Sequence, residues 1–273
     1  MERVRALQVV GDIASDQWGL FTTAQAEAEG VDRTTLTRLA SAGLIEQVSR
    51  GVHLVVAAGT PTNLEERAAW LRLSPARRAR ERRATDEDNG VFSHRTACLL
   101  HELGDVPAPQ VEITVPRRRT TRITGIRLHR AELAADEITT TRDGLPVTTV
   151  ERTIEDLLAD QVDGGHLGGV LADALRRHLV DPDRLAATAA IYAPAYGLAL
   201  GSGRRLVQHL LDQPNIGTEH APPVQAKGEA TATVHAIASQ LAGMDPDQLE
   251  MMKKAVELAI TAPNENQSET EFG

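Results

Sequence analysis

The sequence predicts an α+β fold: an N-terminal winged helix-turn-helix followed by a mixed, mostly helical domain with a small β-sheet. Three observations predict it. Residues 18–56, WGLFTTAQAEAEGVDRTTLTRLASAGLIEQVSRGVHLVV, read as a short strand, two helices across a tight turn, and a two-stranded ribbon. Val111–Val115 and Ile126–His129 have the composition of strands. From Gly144 onward the apolar residues recur at helical spacing. The expected organisation is a winged helix-turn-helix at 1–60, a helix and charged linker at 61–90, an α+β domain at 91–213, and a divergent helical tail at 214–273.

In chain order, residues 3–15 read as a helix with Val4, Leu7, Val10 and Ala14 on one face, packing as the first helix of the winged module. Thr22 can cap the next helix, with Gln25 at the capping-box position. Gly30 stops it, because glycine enters the left-handed conformation without steric cost. Asp32 caps the following helix, flanked by Val31 and Leu36 at the spacing of a hydrophobic staple, and Gly43 with Leu44 ends it. That helix is expected to bury Leu36, Leu39 and Ala40 and to show Arg33, Thr34, Thr35, Thr37, Arg38 and Ser41. Threonine, serine and arginine hydrogen-bond base edges and phosphates, whereas an ordinary solvated face carries Glu and Lys. Ile45–Val48 and Val52–Val56 pair across Ser49-Arg50-Gly51, which puts Arg50 at a wing tip. The alternative is a winged helix that binds protein instead of DNA.

Beyond a break at 59–62, Asn63 to about Leu73 reads as a helix with Leu64, Ala68 and Leu71 inward. The run ARRARERRATDEDNG then changes from basic to acidic. Its Arg77, Arg78, Arg80, Arg82 and Arg83 either grip phosphate or are only solvated. Ser93 caps a helix to Leu103, stopped by Gly104. Between the two strands, Pro116 to Arg122 reads as a hairpin tip carrying Arg117, Arg118, Arg119 and Arg122, either a clamp on the DNA backbone or an exposed loop. Thr148 with Glu151 suggests a capping box for a helix to about Ala159 that buries Ile154, Leu157 and Leu158. Arg152 and Asp156, four apart, should pair on it. Helices follow at about 164–178, 183–191 and 203–212. In the tail, Leu249, Met252, Val256 and Ile260 form an apolar stripe suited to docking on the protein itself or on a partner.

The net charge of −9 argues against nucleic acid only until it is divided along the chain. Residues 61–130 hold 14 basic and 9 acidic side chains, whereas residues 131–213 hold 7 and 13. The basic charge therefore adjoins the winged helix, and a local basic surface can bind phosphate on an acidic chain. A single cysteine, Cys98, rules out an internal disulfide and fits a reducing cytoplasm. No stretch is long and apolar enough for a membrane span and no signal peptide opens the chain, so a soluble cytoplasmic protein is expected.

Local spacing offers no catalytic constellation, metal site or cofactor motif. His94 and His101 stand about 10 Å apart along one helix, too far to share an ion. Gly201-Ser202-Gly203 lacks the context of a P-loop or dinucleotide fingerprint. Asp105 and Glu112 follow a nuclease pattern only loosely, since a lysine is wanted where Thr114 stands. The expectation is a non-enzyme without metal or cofactor.

Taken in order, G-LFTTAQAEAEGVDRTTLTRLASAGLIEQVSRGVHLV, FSHRTACLLHEL, VEITVP, IRLHR and LPVTTVERTIEDLL resemble the AbiEi family, the antitoxins of type IV toxin–antitoxin systems. The resemblance covers roughly residues 5–212, and its most specific part is TT-x-x-RTI-x-DL from Thr148 to Leu157. It implies an N-terminal winged helix and an antitoxin-type α+β domain at 91–213, with Thr148, Thr149, Arg152 and Asp156 as that domain's motif. It also implies repression of the protein's own operon through double-stranded DNA at the promoter. A cognate nucleotidyltransferase-like toxin would be antagonised without stable contact. Carried over, the DNA readers are Thr34, Thr35, Thr37, Arg38 and the wing's Arg50. His53 stands where relatives often have Tyr. Inverted-repeat operators call for a homodimer or paired binding, which the sequence leaves open. The competing reading is a winged-helix transcriptional regulator whose helical domain binds a ligand or protein, with no toxin partner.

Overall fold

The computed structural model describes residues 3–84, 86, 89–118 and 125–213. Helix α1 (Arg3–Ser15) leads into strand β1 (Leu20–Thr22), helices α2 (Thr23–Ala28) and α3 (Arg33–Ser41), and strands β2 (Ile45–Ser49) and β3 (Val52–Val55). These strands form an antiparallel sheet in the order β1-β3-β2. The caps are as the sequence predicts. Thr22 Oγ1 accepts from the Gln25 amide while the Gln25 side chain accepts from the Thr22 amide. Asp32 accepts from Thr35 at 2.7 Å. Leu44 N donates to Leu39 O, closing α3 behind Gly43, whose φ is +69°.

The buried faces differ from expectation in two places. On α1 the inward residues are Ala6, Val10, Ile13 and Ala14, and Val4 is exposed. On α3 they are Thr35, Leu36 and Leu39, and Ala40 is exposed. Residues 35, 36 and 39 lie along one stripe, and position 40 falls on its rim at 100° per residue.

Helix α4 (Leu64–Leu73) joins this module to a five-stranded mixed sheet of β4 (Val91–Phe92), β5 (Val111–Val115), β6 (Ile126–Arg130), β7 (Ile138–Thr140) and β8 (Pro146–Thr148), ordered β6-β5-β4-β8-β7. One apolar core runs through Leu20, Val52 and Leu54 of the winged sheet, Trp70 and Leu71 of α4, and Phe92, Ile113 and Val147 of the larger sheet. Close approach of α4 depends on Gly90: a Cβ there would stand 2.4 Å from Ile113 and 2.8 Å from Leu73. Helices α5 (His94–His101), α6 (Val150–Ala159), α7 (Gly164–Arg176), α8 (Pro182–Ala189) and α9 (Gly203–Leu211) follow. They bury a second core around Ile154, Leu157, Leu167, Leu171 and Leu206.

The expected hairpin between the two long strands is corrected. β5 and β6 run parallel, with Val111 opposite Ile126 and Val115 opposite Arg130. Parallel strands are not joined by a hairpin turn, so the arginines after Val115 do not sit at a hairpin tip. Two further expectations fail at helix starts. Ser93 precedes α5 but does not cap it; the Glu112 carboxylate accepts from Arg95 N instead, at 2.9 Å. Thr149, not Thr148, caps α6 by accepting from Arg152 N. No helix among the described residues is long and apolar enough to cross a membrane. The expected stripe Leu249–Ile260 lies outside the described residues.

Candidate nucleic-acid interface

The geometry of α3 follows from its ends. Asp32 fixes its start, and hydrogen bonding to Thr35 holds the Asp32 carboxyl below the usual carboxylate range. A charged cap at a helix N-terminus is favoured by the helix dipole as well. With Leu36 and Leu39 inside, Arg33, Thr34, Thr37, Arg38 and Ser41 are exposed together on the outer face. Thr37 Oγ1 donates back to Arg33 O, and Arg33 pairs with Glu27 at 2.7 Å across the turn. Arg38 takes part in no ion pair among the described residues.

The wing is a short ribbon whose turn holds an exposed Arg50 followed by Gly51 at φ +77°. β2 shifts register between Gln47 and Ser49, a local irregularity of the kind that twists a ribbon. Thr23 N donates to Gly51 O, so the wing's turn is tied to the start of α2. Arg72 on α4 lies near enough to feel the wing: burial first, and then the Arg50 charge, depress its pKa. Arg72 is a neighbour of the wing that sequence reasoning missed. It lies outside the helix-turn-helix in sequence, and nothing local marks it.

Two expected readers are not at the surface. Thr35 is 6% exposed and His53 9% exposed. The His53 ring stacks on Phe21 with centroids 5.2 Å apart, its Nε2 meets Thr23 Oγ1 at 2.9 Å, and burial lowers its pKa. Both side chains belong to the interior of the winged module.

The arginines of the charged segment are tied internally. Arg78 pairs with Glu29 at 2.7 Å, Arg80 with Asp16 at 2.5 Å, and Arg77 with Asp86 at 2.9 Å. Arg82 is buried, its guanidinium 3.4 Å from the Trp70 ring centroid and donating to Trp70 O and Asn89 Oδ1. This segment straps the winged module to the larger sheet, so a phosphate grip by these residues is not what the geometry offers. Arg83 is exposed. Of the connection's arginines, Arg117 and Arg118 are exposed and leave the end of β5, where Arg130 stands opposite Val115. Arg119 and Arg122 lie outside the described residues.

The motif at 148–157 is turned inward. Thr148 Oγ1 meets Thr153 Oγ1 at 2.7 Å. Arg152 forks between Glu137 at 2.9 Å and Asp156 at 2.8 Å, which joins α6 to the start of β7. Burial, outweighing the Arg152 charge, pushes the Asp156 carboxyl up to about 6. These residues hold the sheet to its covering helix.

Comparison with known proteins agrees with the N-terminal geometry. Residues 9–56, from α1 to the end of the wing, match the family model described as "Transcriptional regulator, AbiEi antitoxin". No curated protein matches the chain. Among solved structures, the chain is similar to the crystal structure of the RV2827C protein from Mycobacterium tuberculosis, with a TM-score of 0.48 and 18% identity over 80% of this chain and 84% of that one. At its N-terminus, then, the chain carries the domain of the AbiEi antitoxin transcriptional regulators.

Proposed function

We propose that the chain is a DNA-binding antitoxin that represses its own operon and neutralises a cognate nucleotidyltransferase-like toxin. The observation that carries the DNA half is the outer face of α3, where Thr34, Thr37, Arg38 and Ser41 stand exposed beside a wing with Arg50 at its tip. A helix of this kind fits the major groove, where arginine can bond a guanine edge in bidentate fashion while threonine and serine bond either bases or phosphates. Arg33 is half-committed to Glu27 and serves phosphate. Arg117 and Arg118 add sequence-independent contacts, with Arg119 and Arg122 following in the same segment. Thr35 and His53 support the interface from inside.

The inward-turned motif bears on the antitoxin half. Thr148, Thr149, Arg152 and Asp156 each make contacts within the fold. That supports antagonism without a stable toxin contact through these residues. Gel-shift of the full chain on its own promoter tests the first half. Salt-sensitive, sequence-preferring binding is expected, and equal affinity for random DNA would refute it. Co-expression with the product of an adjacent nucleotidyltransferase-like reading frame tests the second. Rescue of growth supports antitoxin action, while the absence of such a frame or of rescue favours a regulator without a toxin.

A further inference from the structure

Three side chains far apart in sequence meet beside the larger sheet. His94 opens α5, His129 lies in β6, and Asp160 follows the last turn of α6, and each offers a ligand atom within 4.8 Å of the others. Local spacing cannot show such a site, because the parallel β5–β6 pairing and the packing of α6 bring its members together.

Several features set the cluster apart from a filled ion network. His94 has φ +53°, a left-handed conformation that a non-glycine residue keeps only when its surroundings enforce it. Its Nδ1 is held 2.9 Å from Ser93 Oγ and 3.7 Å from Asp156 Oδ2. His129 Nε2 is buried without a hydrogen-bond partner, 3.6 Å from Glu112 Oε1. A buried polar atom left in that state is unusual and points to an absent partner. The Asp160 carboxylate is only loosely engaged, 3.4 Å from Arg127 and 3.7 Å from Arg95, and its side chain is 23% exposed, which opens the cluster to solvent.

We propose that His94, His129 and Asp160 bind a divalent first-row transition ion of the zinc class, with one coordination position left open. Two imidazoles and one carboxylate form a donor set suited to zinc or ferrous iron, with bonds of about 2.0–2.2 Å. Hard magnesium and calcium prefer all-oxygen sites. The two rings now stack with centroids 3.5 Å apart and planes inclined by 17°, so their lone pairs run nearly parallel. Sharing an ion requires one ring to turn. His129 Nε2 is held only by the long 3.6 Å contact with Glu112 Oε1.

The test is titration of the chelator-treated full chain with Zn²⁺ and Co²⁺, read by calorimetry, visible absorption and thermal melting. The expected result is saturable Zn²⁺ binding that raises Tm, together with a Co²⁺ d–d band. His129→Gln and Asp160→Asn should each weaken binding by at least about tenfold and remove the rise in Tm. The double variant His178→Gln/His209→Gln, at exposed positions, should bind as wild type does. No binding by the wild type overturns the proposal. So does retention of affinity in both site variants, or loss of binding in the exposed-position control. If His129→Gln fails to fold, Asp160→Asn decides, because its change is isosteric and at the open edge.

Discussion

At the residue scale, burial separates the proposed DNA readers from the residues that support them. Arg38 is exposed on the outer face of α3. Arg38→Ala should weaken specific binding by about 1–3 kcal/mol and relax base preference, measurable by anisotropy on promoter and scrambled duplexes. His53 is the opposite case. Desolvation lowers its folded pKa below the ordinary value of 6.5, so the unfolded chain takes up a proton before the folded one does. Its contribution to stability is therefore fully present above pH 6.5 and is lost as pH falls from there toward the folded pKa. Melting curves should show a steeper loss of Tm between about pH 7 and 5 in the wild type than in His53→Phe, which keeps the ring packed on Phe21 without the titration. Equal slopes would contradict a buried neutral His53. The sequence marked His53 as a wing residue because strand alternation alone does not reveal which face β1 and α2 cover.

At the scale of elements, what was legible is what local chemistry determines. The caps at Thr22 and Asp32, the stops at Gly30 and Gly43, and the pair Arg152–Asp156 depend on residues within a turn of one another, and each stands as expected. Thr22→Ala should cost about 0.5–2 kcal/mol in urea unfolding, since it removes the cap of α2 along with a bond to Pro75 O. What was not legible depends on distant partners. β4, β7 and β8 have two or three residues each, too few to show alternation, and β8 begins with a proline. The connection between β5 and β6 has the length of a long hairpin loop, so the parallel pairing is visible only once the register is known. The arginine run looked like a free basic surface because Asp16, Glu29 and Trp70 lie elsewhere in the chain. Gly90 belongs here too. Gly90→Ala should cost about 1–3 kcal/mol by overpacking α4 against β5, seen as a lower Tm at unchanged denaturant m-value.

At the scale of the whole molecule, the winged module and the larger sheet share one apolar core through α4, closed by Trp18, Arg67 and Asp143. Arg67 is buried, lies 4.9 Å from the Trp18 ring centroid and pairs with Asp143 at 2.8 Å. The winged module is thus packed into the same frame as the larger sheet, and most of the chain's net acidity lies beyond residue 130. Such a frame predicts two classes of arginine. Arg38 on α3 is expected to set base preference, and Arg33 with the arginines that follow β5 to set overall affinity. Arg118→Ala should weaken promoter and random DNA alike and lower the salt slope by about one.

The measurement that tests the central claim most directly is binding of the full chain to its own promoter and to random duplex across salt, for the wild type and Arg38→Ala. The account predicts tighter binding to the promoter by the wild type, and loss of most of that preference in the variant at nearly unchanged affinity for random DNA. Equal binding of both duplexes by the wild type, or an unchanged preference in Arg38→Ala, would contradict it.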